Sequence, residues 1–381
     1  MKILKGIGFF TLYAIAGGIV GALLANYSDN LLPSTSELGF GKSTLIGLIF
    51  ASIIVGFFVS VLIHELGHLL FGVAAKMKPV AMMVGPCCWK FEEEKRWPKL
   101  TFQKGIVGGL TLCVPTEMTE LKKPLVRFIV GGPLGSFALG AACIAFYSVS
   151  PMLLKIPLIF TALITILLGL YNLYPKTVAG MHTDGARLRT LFKNNAACDE
   201  MIAQFLLSAH MYAEGTPNDW PQDQIDTLVK ATEDSPEWRA GQYFSYMKTK
   251  FSEDWASAKA HLALASQNLD DMPRVMKNSY LSSMATFSAV CDHDFEYAGK
   301  MLTETGRGFI SEKHTEAIYK AIIHISDGNN HAAEEQLAKA EKTMKRALFR
   351  GTVSLAKQDI QRLRAYIATK QAAESSAKTS L

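Results

Sequence analysis

The sequence predicts a mainly α fold in two unlike parts: a polytopic transmembrane helical core with a small β-rich loop, then a soluble α-helical, repeat-like domain. Three observations predict it. The long apolar runs are nearly all confined to residues 1–180. One of them, residues 45–63, holds no charged side chain and leads directly into His64-Glu65-Leu66-Gly67-His68. Beyond Arg189 the pattern changes to short apolar-periodic segments with charged faces. A chain of 381 residues has room for two domains. The expected division is 1–190 for the membrane domain, 191–370 for the helical domain, and a frayed, disordered tail over 371–381.

Four segments read as membrane helices: 6–26, 45–73, 126–148 and 153–173. The start, Met1-Lys2-Ile3-Leu4-Lys5, also suits a secretory signal. No A-x-A cleavage site follows near Ala25, so the segment is read as an uncleaved first helix. The last run begins with Lys155 and Pro157, and a lysine there can snorkel at a membrane edge. Between the second and third runs, residues 80–91 and 100–118 contain short β-like stretches broken by Gly85-Pro86, Trp97-Pro98 and Gly108-Gly109. A sheet there has an edge that can pair with an extended substrate strand. A structural hairpin lying on the membrane accounts for the same pattern, and both readings stand.

The loops fix the orientation. Residues 27–44 carry one lysine, Lys42, whereas 76–123 carry Lys76, Lys78, Lys90, Lys95, Arg96, Lys99, Lys104, Lys122 and Lys123. The positive-inside rule puts 76–123 and both termini in the cytosol of a multi-pass protein. Short loops and a basic start fit a bacterial cell membrane. The net charge of +5 is mostly this loop bias, and no compact basic-aromatic patch calls for a nucleic-acid partner. The six cysteines form no C-x-x-C pair, and cytosolic exposure argues against disulfides.

His64 and His68 lie on one helix face, one turn apart, so both imidazoles can reach one zinc ion with Glu65 beside it as general base. A bland reading as two partnered core histidines competes. Depth decides between them: ionisable groups inside a membrane cost several kcal/mol each, and three within five residues need an interaction as strong as metal binding. Asn172-Leu173-Tyr174-Pro175 and, further on, Asp184-Gly185 form a second group. Asp-Gly alone signals a turn. However, the second and fourth runs cross in the same direction, which brings His68 and Asp184 to one membrane face and makes Asp184 a candidate third ligand, with His182 as its competitor. Three protein ligands and one water is the catalytic zinc pattern. Gly131-Gly132-Pro133-Leu134-Gly135-Ser136 serves either close helix packing or a conformable backbone beside the metal.

In the second half, 197–212, 223–233, 236–251, 254–267, 273–290, 294–305, 314–326, 330–346 and 349–370 read as helices. Small-residue-rich starts at Trp255, Tyr297 and His331 recur at intervals that resemble degenerate tetratricopeptide repeats, with an irregular alanine-rich bundle as the alternative. His210, His261, His293, His314, His324 and His331 lack metal spacing and read as solvated or structural.

Together these motifs resemble the site-2 protease family of intramembrane zinc metalloproteases. The likeness rests on helix-borne HELGH at 64–68, the β-rich loop, GGPLGS in place of the family's G-P-x-x-N region, and NLYP followed by DG over 172–185, in the family's order. It covers about residues 45–190. It implies a three-helix catalytic core, Zn2+ held by His64, His68 and Asp184, Glu65 as catalytic base, and Asn172 as a polar group near the substrate or oxyanion. The implied activity is cleavage of membrane-protein substrates within the lipid bilayer, in regulated proteolysis. A cytosolic protein partner is expected for the helical domain. Two departures stand out. The asparagine-to-aspartate spacing is about four residues longer than usual, and Ser136 occupies the place of an asparagine. Rival readings are a proteolytically inactive membrane-anchored scaffold, against which intact Glu65 argues, and a zinc-dependent transporter, which lacks the inverted repeat such folds carry.

Overall fold

The computed structural model describes residues 39, 41–91, 97–102, 108–116, 120–178, 181–272, 274–305, 312–345, 347 and 349–379. The expected helix 6–26 lies outside them. Among the described residues three helices are long and apolar enough to cross a membrane: α1 (Lys42–Ala74), α2 (Lys122–Tyr147) and α3 (Met152–Leu173). They coincide with the expected 45–73, 126–148 and 153–173.

These three pack with their polarity turned inward. α1 buries Ser52, Gly56, Ser60, His64 and His68, a stripe at four-residue spacing and therefore on one helix face. On the outside, Phe50, Ile54, Val55 and Leu70 are exposed. α1 packs against both α2 and α3. The α1–α2 contact is backbone to backbone: a Cβ on Gly67 would fall 2.2 Å from the Gly131 carbonyl oxygen.

Both β-like stretches become strands of one antiparallel sheet, β1 (Met77–Val84), β2 (Cys87–Lys90), β3 (Lys99–Phe102) and β4 (Gly109–Pro115), in the order β3-β2-β1-β4. β4 is thus an outer strand, paired on one side with β1, with Met82 opposite Thr111. A two-strand hairpin, β5 (Thr177–Val178) and β6 (Met181–His182), follows α3, and then come α4 (Asp184–Lys193) and α5 (Ala196–Tyr212). One apolar cluster runs from Leu69, Met82, Cys113 and Phe128 to Leu191, Met201 and Leu206, so the sheet and the first helices beyond residue 190 share a core.

The remaining helices are α6 (Gln222–Val229), α7 (Pro236–Phe251), α8 (Trp255–Ala265), α9 (Arg274–Phe287), α10 (Phe295–Glu304), α11 (Lys313–Ser326), α12 (Asn330–Met344) and α13 (Val353–Thr379). α8, α10 and α12 share a pattern. Each is capped by an Asx side chain, Asp254, Asp294 or Asn329, that accepts from the third helical N–H. Four residues past each cap stands a fully buried alanine (Ala258, Ala298, Ala333), and eight past it a buried leucine (Leu262, Leu302, Leu337). α13 packs on α7, α11 and α12 and closes the array, its Asp359 carboxylate 2.8 Å from Lys250 Nζ of α7. The tail is corrected in part: residues 371–379 continue α13, because Gln, Ala, Glu and Lys favour helix over a frayed coil.

Candidate metal centre

The apolar helix α1 presents His64 and His68 on its buried stripe, and the β5–β6 hairpin brings Asp184 to them. Thr183 is the joint. Its hydroxyl caps α4 by accepting from Ala186 N, and it donates to the Tyr174 carbonyl at 2.8 Å, while its own N–H reaches the Lys176 carbonyl at 3.0 Å. The hairpin absorbs the long Asn172-to-Asp184 spacing, so Asp184 sits in the first turn of α4 directly after a fixed cap.

Asp184 Oδ2 lies 3.2 Å from His64 Nε2 and 3.4 Å from His68 Nε2, and all three groups are buried. The far sides of the rings are held as well. His68 Nδ1 is 2.9 Å from the Phe128 carbonyl oxygen, which only accepts, so the neutral ring carries its proton on Nδ1 and presents a lone pair at Nε2. His64 Nδ1 meets the Ser136 hydroxyl at 2.9 Å. Two acceptors, His68 Nε2 and Asp184 Oδ2, therefore face each other, and that oxygen has no hydrogen-bond donor. Two acceptors repel unless a cation stands between them. This buried group of two histidines and one aspartate is able to hold a metal ion. Among the described residues no other such group forms.

Glu65, the next residue after His64, is turned about 100° around the helix and meets the sheet. Its Oε2 accepts from Thr111 Oγ1 of β4 at 2.7 Å, and the same hydroxyl lies 3.0 Å from the Glu65 carbonyl oxygen. Two glycines make room. A Cβ on Gly109 would fall 2.3 Å from Glu65 Oε1, and one on Gly132 would fall 2.3 Å from His68 Nε2 and 2.8 Å from His64 Nε2. Within GGPLGS, Gly131 permits the close helix packing and Gly132 clears the space beside the imidazoles.

The structure brings together His64, His68 and Asp184, with Glu65 alongside. His182 lies elsewhere: its Nδ1 meets Thr177 Oγ1 and its Nε2 meets Glu237 Oε1, each at 2.8 Å. Asn172, in the last turn of α3, donates from Nδ2 to its own helix at Leu168 O, 3.1 Å away. Sequence reasoning missed Thr111 and the Phe128 carbonyl as supports. It noted Ser136 only as a departure, yet Ser136 is the group that orients His64. Compared with protein-family models, curated proteins and solved structures, the chain matches none.

Proposed function

We propose that the chain is an intramembrane zinc metalloendopeptidase of the site-2 protease type, which cuts a peptide bond within, or at the cytosolic edge of, a substrate's membrane segment. The observation that carries this reading is the convergence of His64 Nε2, His68 Nε2 and Asp184 Oδ2 on the inner face of an apolar helix, with Glu65 held next to them. The inverted polarity of α1 supports a lipid setting, since exposed Phe50, Ile54 and Val55 cost nothing in hydrocarbon and small buried residues let helices close on one another. The two histidine–aspartate distances fit zinc. Ligands about 2.0–2.1 Å from a tetrahedral ion stand about 3.3 Å apart, against 3.2 and 3.4 Å here.

When bound, zinc lowers the pKa of a water from ~16 toward ~7 and draws charge from the substrate carbonyl. The chain's own groups do the rest. Glu65 takes the water proton and returns it to the leaving amine. Thr111 fixes the carboxylate by occupying Oε2, which leaves Oε1 for the proton. Ser136 and the Phe128 carbonyl keep both imidazoles aimed inward, the supporting role that outer hydrogen bonds play at metal sites. The nine basic residues of 76–123 support a cytosolic side for this site and the C-terminus, and the short loops and basic start fit a bacterial cell membrane. The capped Ala/Leu pattern of α8, α10 and α12 supports a repeat-like helical domain that binds a cytosolic protein partner.

Comparing membrane-protein fragments from cells that carry the wild-type chain with those from cells that carry Glu65→Gln tests the reading. Fragments present only with the wild-type chain support it. Identical fragment patterns would refute it.

A further inference from the structure

A cavity of about 550 Å³ opens next to the metal centre, and its two walls come from different halves of the chain. One wall is Leu110, Thr111 and Leu112 of the outer strand β4, with Phe128 of α2. The other is Gln204, Phe205 and Ser208 of α5, with Glu237 and Arg239 of α7. The first wall touches the chemistry at two points: Thr111 holds Glu65, and the Phe128 carbonyl holds His68. α5 docks on the far end of the same strand, where Ala209 packs with Val80 and Val114. The near end of β4 faces the cavity.

Most of the charge in the cavity is already committed. Arg239 pairs with Asp234 at 3.2 Å and donates to the Ala265 carbonyl at 2.8 Å, and Glu237 is taken by His182. Arg187, three residues past Asp184 on α4, also lines the cavity, and it has no acidic partner among the described residues. The chamber thus offers a strand edge, an apolar lining and one uncommitted guanidinium, a group suited to carboxylates.

Resting on the proteolytic reading of this site, we propose that the helical half forms the substrate-selecting wall: the cavity takes the cytosolic flank of the substrate as an extended apolar segment ending in an acidic residue, whose carboxylate Arg187 holds. A segment lying along β4 is presented to Glu65. What fits between β4 and α5 decides which segment that is. Selection and chemistry thus sit on opposite walls of one chamber.

The test is binding to the full-length Glu65→Gln chain in detergent, with two fluorescent leucine- and valine-rich peptides that differ only in ending with aspartates or with lysines. The acidic peptide should bind about tenfold more tightly, the worth of one desolvated charged hydrogen bond. Arg187→Gln should bring the ratio close to one. On the helical wall, Gln204→Glu should reverse the preference and Gln204→Lys should strengthen it, a pair of opposite effects that misfolding does not produce. Equal binding of the two peptides by the parent chain, or a ratio that ignores both changes at Gln204, would overturn the proposal. If the peptides bind with the stated preference but the chain with Glu65 intact cuts neither, the chamber stands and the proteolytic reading falls.

Discussion

His64 is fixed at both ends, with Nδ1 on Ser136 and Nε2 facing Asp184, so changes around it should separate three effects. His64→Ala, His68→Ala and Asp184→Ala should each lose bound metal, whereas Glu65→Gln and His182→Ala should keep it. Metal measured on the purified variants decides this, and loss of metal in His182→Ala with retention in Asp184→Ala would reassign the third ligand. Ser136→Ala should keep the fold and weaken metal binding roughly 10–100-fold, the usual cost of removing an outer support. Gly132→Ala should abolish binding, because its methyl group would fall among the imidazole nitrogens. The histidines and Glu65 were legible because their geometry is local: a four-residue spacing on a helix means the same thing in any fold. Asp184 was legible only through topology, and the choice between it and His182 was not. Thr111 and Ser136 act across 46 and 72 positions, so no local pattern announces them.

At the scale of elements, the hairpin β5–β6 couples the site to the helical half through His182 and Glu237. Burial raises the Glu237 carboxyl, but the His182 hydrogen bond outweighs it and holds the group below its ordinary value. A depressed carboxylate contributes stability above its unfolded pKa of about 4.3, and that contribution is lost as pH falls through the lower folded value. Wild type should therefore melt above Glu237→Gln at pH 6, with the gap closing in stronger acid. A gap that widens on acidification would contradict the pairing. α13 offers a second test. Lys250 and Asp359 are both buried, and removing one partner leaves a lone buried charge, so Lys250→Met should cost about 3–5 kcal/mol. Chemical unfolding should then show Lys250→Met with Asp359→Leu recovering part of that loss. Helix positions in this half were legible from apolar periodicity, and α4 was missed because it is short and its start is set by Thr183 rather than by an apolar stripe. The Lys250–Asp359 contact, which closes the array, joins residues 109 apart and leaves no trace in periodicity.

For the whole molecule, the proposed topology has the basic loop and the helical half on the cytosolic side. A reagent that cannot cross the membrane should label a cysteine placed at Ser36 in intact cells and miss one placed at Lys357, and the reverse would turn the topology over. The apolar cluster shared by Leu69, Phe128, Met201 and Leu206 means that the two halves are one assembly around the site. Composition divided the chain at residue 190, but composition does not show which faces meet. The most direct test of the central claim measures metal content and cleavage of a labelled transmembrane peptide on the same detergent preparations of wild type and Glu65→Gln. The account predicts about one zinc per chain in both, cleavage by wild type alone, and loss of that cleavage on chelation with recovery when zinc is returned. Wild type without bound metal, or Glu65→Gln cutting as fast as wild type, would contradict it.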